Sequence, residues 1–277
     1  MTTLFLSPHP DDAALSCGGL IALLSARGVP VTIVSVFNAP GSSVRLTPYQ
    51  LLALGFGEDG APEPIEEPTP MGVMAVRRAE DEAYARFIGA SIEFLDQPDA
   101  VFRGYEGDAQ LMSPPRRDDP APTEDLRRIF ARLQPTAIYA PLSIGGHVDH
   151  RQVRRAAMAL LAEPGSPYLD RTVFYEDFPY SHNIGFERLD QLDPEIAAGL
   201  PPGTELKPEY VEIGAVIDRK LEGLHCYDSQ LGRLFGPGGD RLPAAVRDRA
   251  ARVGQLGGVG PAERYWRLTA GGPPRIR

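Results

Sequence analysis

Short β-prone apolar runs alternate with helix-length segments from the first residues of the chain, and this rhythm admits few folds. Residues 3–7 (Thr-Leu-Phe-Leu-Ser) read as a strand, and 13–27 follow as a helix of small and apolar residues that stops at Gly28. Residues 31–37, Val-Thr-Ile-Val-Ser-Val-Phe, form the clearest strand, with the β-branched richness of a strand covered on both faces. The pattern then predicts a helix over 73–88 ending before Gly89, a strand over 92–95, a helix over 123–133, a strand over 137–140, a helix over 148–162 and a strand over 172–175. Strand and helix at this βαβ spacing predict an α/β, Rossmann-like, mostly parallel sheet with helices on both faces.

Two segments break the rhythm. Residues 38–70 are rich in Gly and Pro, and 96–122 carry Pro114-Pro115 and Pro120. Long loops in a compact domain serve as lids or binding loops, and a lid is the expectation for 38–70. Beyond Tyr180 the pattern blurs, with helices expected around 210–227 and 241–253. The chain therefore reads as one α/β domain over 1–277, with a core over about 1–180 and C-terminal cap elements over 181–277.

Charge excludes some partners. With 28 basic and 37 acidic residues the net charge is −9, which disfavours nucleic-acid phosphate and anionic membranes. The basic residues are Arg apart from Lys207 and Lys220, a skew spread evenly enough to reflect genome composition rather than a site. Two cysteines, Cys17 and Cys226, make neither a disulfide framework nor a Cys-type zinc site. The first residues lack a basic leader and a long apolar run, and no stretch approaches 18 apolar residues, so the expectation is a cytoplasmic protein with no membrane span.

Two short motifs carry chemistry. Ser7-Pro8-His9-Pro10-Asp11-Asp12 falls where the first strand gives way to its helix, the sheet edge at which open α/β proteins bind ligands. Asp11 or Asp12 could simply cap that helix, and His9 could be a turn residue. Gly145-Gly146-His147-Val148-Asp149-His150 also follows a predicted strand, and its histidines, at i and i+3, share one helix face. Three of the 5 histidines of the chain fall in these two motifs. Two or three histidines with one carboxylate make a catalytic zinc site with an open position, and the surplus groups supply acid–base chemistry. Gly18-Gly19 marks a close approach, either of helix to sheet or of backbone to ligand, since two glycines in a helix cost about 1 kcal/mol each. The G-x-G-x-x-G dinucleotide fingerprint is absent.

The Pro-His-Pro-Asp-Asp motif, the Gly18-Gly19 pair and the distal His-x-Asp-His resemble the PIG-L/LmbE family of zinc-dependent N-acetyl-sugar deacetylases over residues 4–161. Weaker echoes reach Tyr175-Glu176-Asp177 and Tyr227-Asp228-Ser229-Gln230. The resemblance implies one Zn2+ per chain, with Fe2+ as the alternative ion, held by His9, Asp12 and His150. It implies Asp11 as the base that takes a proton from the activated water. It gives His147 the oxyanion or the leaving amine, and Asp149 the orientation of a histidine. Sequence physics alone does not choose between Asp11 and Asp12 as ligand. Arg77 and Glu80 resemble an Arg-x-x-Glu element of the family, with Arg77 reaching a substrate hydroxyl or phosphate or else bracing the sheet. Glu176 and Asp177 would line the sugar pocket. His182 and His225 lack a ligand-spaced partner, and Trp266 reads as packing.

The implied activity is hydrolytic removal of an N-acetyl group from an amino-sugar substrate, a small molecule or glycoconjugate. A zinc amidase acting on a thiol conjugate or natural-product amide is the nearest alternative. A non-catalytic sugar-binding module would show a lost ligand or base, and neither motif shows one. Oligomeric state, a homo-oligomer included, stays open.

Overall fold

The computed structural model describes residues 1–42, 44–57, 68–187 and 199–270. Seven strands form one sheet: β1 (Thr3–Ser7), β2 (Val31–Ala39), β3 (Ser91–Pro98), β4 (Ala137–Pro141), β5 (Thr172–Tyr175), β6 (Thr204–Glu212) and β7 (Ala262–Ala270). Their order is β3-β2-β1-β4-β5-β7-β6. β1 to β5 run parallel, while β7 lies antiparallel to both β5 and β6.

Alternation along the strands explains the two layers. Phe5, Val31 and Ile33 point into a core with the helices Asp12–Ala26 and Pro70–Ile88. Leu4, Leu6, Val34 and Val36 point to the other face, against the helices Thr123–Leu133 and Val148–Leu161. Successive side chains of a strand alternate in direction, so a strand buried on both faces must be apolar throughout. The predicted α/β sheet with helices on both faces is the observed architecture.

The C-terminal part differs from the sequence reading. Where a helix is expected around 210–227, β6 runs to Glu212, a 3-10 turn follows at Gly214–Val216, and the helix proper is Ile217–Leu224. The helices Asp228–Phe235 and Leu242–Gly257 come next, and β7 returns to the sheet. This region therefore extends the sheet as well as covering it.

Gly18 and Gly19 answer to packing. A Cβ on Gly19 would stand 2.6 Å from Ile213 Cγ2, and one on Gly18 would stand 3.0 Å from Lys220 Cγ. Into this gap comes Glu263 of β7, whose carboxylate accepts from the Gly19 and Leu20 backbone N–H groups at 2.8 and 2.9 Å. It also accepts from Lys220 Nζ at 2.8 Å and Tyr265 OH at 2.7 Å. A charge taken from water needs such full pairing.

The described parts of the interrupting segments pack against the body of the protein. Leu54, from the first, and Val101, Tyr105 and Leu111, from the second, form a third apolar cluster with Val73, Met74 and Val148. Residues 43 and 58–67 of the predicted lid lie outside the described residues.

Candidate metal centre

The chain order changes direction between β1 and β4. β1 leads to β2 on one side, whereas β4 joins on the other, so a crevice opens at their carboxyl ends. The loops after β1 and β4 carry the two sequence motifs into that crevice.

The first loop is tightly held. Ser7 Oγ donates to His9 O at 2.7 Å and accepts from Ala13 N at 2.9 Å, capping the first helix. Neither aspartate caps the helix with its side chain: Asp11 stands at the N-cap position without a side-chain capping bond, and Asp12 Oδ2 accepts from His9 N at 2.8 Å. Asp11 sits at φ 108°, a conformation costing an L-residue on the order of 1–3 kcal/mol and found mainly at functional turns. Arg77 braces the turn by donating to Pro10 O at 3.1 Å.

Around this loop the three motif histidines converge, with one ring nitrogen from each of His9, His147 and His150 lying within 4.8 Å of the others. All three are buried. Asp12 Oδ2 lies 3.2 Å from His9 Nδ1 and 3.2 Å from His150 Nε2. Ligands at 2.0–2.1 Å around a tetrahedral ion stand about 3.3 Å apart. The remaining ring nitrogens are backed by carboxylates: His9 Nε2 meets Asp149 Oδ2 at 2.9 Å, and His150 Nδ1 meets Asp177 Oδ1 at 2.6 Å. Histidine ligands of metals carry this kind of backing, which fixes the tautomer and aims the other nitrogen. His150 Nε2, although buried, makes no hydrogen bond. A buried ring nitrogen without a hydrogen bond, 3.2 Å from a carboxylate and beside a second imidazole, fits a divalent metal ion.

Charges here are mutually tuned. Burial opposes a charge on His9, yet Asp99, Asp12 and Asp149 hold its pKa well above the ordinary value. Burial likewise opposes a charge on His150, but Asp12 and Asp177 raise it to about 9. A metal ion must displace these protons, so its uptake is coupled to proton release. Burial pushes Asp12 up, but His150 and His9 outweigh it and hold the carboxyl well below its usual range. Asp11 moves the other way: burial, then the negative Asp12, raise it well above the usual carboxylate range, with Arg77 working against the shift. Burial, then the neighbouring His9 and His150, push His147 well below the usual imidazole value.

Asp149 is wholly buried and receives three donors: His9, the Ala100 backbone N–H at 3.0 Å and Arg103 at 2.7 Å. His147 Nδ1 accepts from the Asp149 backbone N–H at 3.3 Å at the start of the helix Val148–Leu161. Arg77 lines the cleft above the centre, 3.7 Å from Asp11 and 3.6 Å from Asp99.

Two expected pocket residues stand elsewhere. Asp177 is buried behind His150, with its second oxygen accepting from Ile144 N at 2.8 Å. Glu176 projects to the opposite side, into a knot with Arg249, Arg264 and Trp266 Nε1 beside a separate small cavity. Neither lines the cleft. Adjacent strand-end residues point to opposite faces, so the pair could not both enter one pocket. Asp99 and Arg103 escape the sequence reading. Asp99 follows the end of β3, the same edge that marks the two motifs, but the predicted strand stops at residue 95 and leaves it inside a loop.

The fold and this cluster define an α/β protein with a candidate divalent-metal centre at its topological switch point. The chain belongs to the PIG-L family (GlcNAc-PI de-N-acetylase), which it matches over residues 4–161. It is 33% identical over 232 residues to the 2'-N-acetylparomamine deacetylase of Streptomyces fradiae, covering 82% of this chain and 73% of the relative. It is 31% identical over 170 residues to the 1D-myo-inositol 2-acetamido-2-deoxy-alpha-D-glucopyranoside deacetylase of Saccharomonospora viridis, covering 56% of each chain. Among solved structures it resembles an antimicrobial pseudoaglycone deacetylase, with a TM-score of 0.72, 25% identity and 98% of each chain covered. Among the described residues no helix is long and apolar enough to cross a membrane.

Proposed function

We propose that this chain is a metal-dependent hydrolase that removes an N-acetyl group from an amino-sugar substrate, either a small molecule or a glycoconjugate. The observation that carries the reading is the buried His150 Nε2, which makes no hydrogen bond yet stands 3.2 Å from the Asp12 carboxylate, beside His9 and His147. The deacetylase names of its relatives supply the reaction class.

His9, Asp12 and His150 would hold the ion, with Zn2+ expected and Fe2+ the alternative. Such an ion, when bound, lowers the pKa of water and polarises the acyl oxygen. Asp11, raised into a better range for a base and free of any cap, accepts the proton of the attacking water. The water oxygen adds to the amide carbon, the C–N bond breaks, and the proton passes to the departing amine, leaving acetate. His147, neutral by virtue of its low pKa, keeps one N–H to donate to the oxygen that becomes negative. Asp149 and Asp177 fix the tautomers of His9 and His150. Arg77 holds the Asp11 turn and offers the substrate a donor. The continuity of the sheet through β7 supports treating 1–277 as one domain.

Metal content measured together with amine release from a panel of N-acetyl amino sugars tests this reading. About one equivalent of metal is expected in wild type and in Asp11→Ala, and loss of metal in His150→Ala. Asp11→Ala should lose roughly 10²- to 10⁴-fold in kcat. Wild-type chain that takes up neither zinc nor iron, and releases no amine, would overturn the assignment. Metal uptake with release only from other amides would favour the amidase alternative.

A further inference from the structure

The centre sits at the base of an open cleft walled by residues from several parts of the chain. One wall comes from outside the family match: Gln230, Arg233 and Leu234 of the helix Asp228–Phe235. This helix is fixed in place by the two remaining sequence motifs, which prove to be partners. Glu80 accepts from both Ser229 N at 2.7 Å and Ser229 Oγ at 2.6 Å, so it caps the helix. Tyr227 OH donates to Asp81 at 2.8 Å, and Gln230 Nε2 donates to Leu54 O at 2.7 Å. At Gly55 the fit is close enough that a Cβ would stand 2.1 Å from Ser229 O.

Two guanidinium groups line the cleft among the described residues, and their surroundings differ. Arg77 is buried between Asp11 and Asp99, so its charge is balanced at the floor. Arg233 has Asp108 at 3.2 Å, and that side chain is 68% exposed and also accepts from Tyr49 OH. Asp108 is not part of the cleft lining, whereas Arg233 is. An exposed ion pair is held weakly, because water and salt screen it, and a ligand can replace such a partner.

We propose, on top of the deacetylase reading, that Arg233 is a specificity-determining residue. Its guanidinium donates to an acidic group, a carboxylate or phosphate, carried by the substrate beyond the amino sugar. A hydroxyl in that place binds less well, and an ammonium is disfavoured. The planar fork of Arg suits two-point contact with carboxylate or phosphate. This preference runs against the cationic character of a polyamine sugar, so it separates this cleft from one built for multiply aminated substrates.

Three N-acetylglucosaminides with equal-length aglycones ending in carboxylate, hydroxyl or ammonium test the proposal. Each is measured for kcat/KM by amine release with the metal-loaded enzyme, and for affinity by calorimetric titration. In wild type the carboxylate glycoside is expected to exceed the ammonium glycoside by about tenfold, mostly through KM. Arg233→Gln should bring the ratio close to one, with an unfolding transition like that of wild type. Asp108→Asn should move it the other way, since it releases Arg233 from its competitor. A wild-type ratio of one, or a ratio unchanged by Arg233→Gln, would overturn the proposal. If no glycoside releases amine, the deacetylase reading fails, while the calorimetric ranking still decides the role of Arg233.

Discussion

Glu176 and Asp177 are neighbours in sequence, and both are buried carboxylates at the end of β5, yet their surroundings have little in common. Glu176 is enclosed by two guanidinium groups and an indole N–H: Arg249, Arg264 and Trp266. Asp177 meets one imidazole and one backbone N–H. A related contrast holds between Glu263, wrapped by Lys220, Tyr265 and two helix N–H groups, and Asp149, which backs His9 while also accepting from Arg103 and the Ala100 N–H. Carboxylates of the first kind join the C-terminal strand to the rest of the molecule. Those of the second kind back a histidine ring nitrogen and aim the other one at Asp12. Burial alone does not tell them apart; the donor set does.

Glu176→Gln gives the largest expected effect on this contrast. Removing one charge strands two buried guanidinium groups, and breaking a buried pair costs about 3 kcal/mol or more. Urea unfolding should show this loss, with metal affinity of the folded protein unchanged. A stable variant with impaired metal binding would place Glu176 with the second kind of carboxylate after all.

Asp177→Asn should do the reverse. Both Asp177 oxygens accept, so an amide must turn its NH2 against either His150 Nδ1–H or the Ile144 N–H. Loss of carboxylate backing typically weakens metal affinity by about 10- to 100-fold. Competition with a chelator measures this directly. Wild-type affinity in Asp177→Asn would show that His150 needs no orientation from behind.

Much of this was open to reading from the residues. β1, β2, β4 and β5 are largely apolar because both faces are covered, which made them visible, while the edge strand β3 showed through its short run over 92–95. β6 and β7 were not, and the reasons are physical. β6 is an edge strand with Lys207, Pro208 and Glu209 at its middle, a composition that suits an unpaired edge and hides the strand. β7 carries Glu263 and Arg264, whose burial is made tolerable by pairing with Lys220 and Glu176, residues far off in sequence. At the centre, His9, Asp11, Asp12, His147, Asp149 and His150 were legible because two short motifs hold them together. Asp99 and Arg103 depend on where a long segment folds back, which local sequence does not encode. The Glu176-Asp177 pair was legible as two acids at a strand end, and its division between two faces was not used.

Asp81 is a third kind of buried carboxyl and gives the smallest expected effect. Its Oδ1 accepts from Tyr227 OH, while Oδ2 has no partner, so the group has neither the guanidinium groups of Glu176 nor the imidazole of Asp177. Burial raises its pKa to about 7, with the Tyr227 bond offsetting part of the rise. In the unfolded chain an aspartate titrates at about 3.9. Between these two values the folded protein holds a proton that the unfolded chain has released. Its contribution to stability is therefore complete below about pH 4 and is lost as pH rises through 7. Asp81→Asn removes the titrating group and keeps the oxygen that Tyr227 needs. Its melting temperature relative to wild type should rise from pH 5 to pH 8, by on the order of 3 °C. The comparison of the two proteins at each pH cancels the titration of every other group. A difference that stays flat over that range would mean that Asp81 is ionised in the fold like its better-paired counterparts.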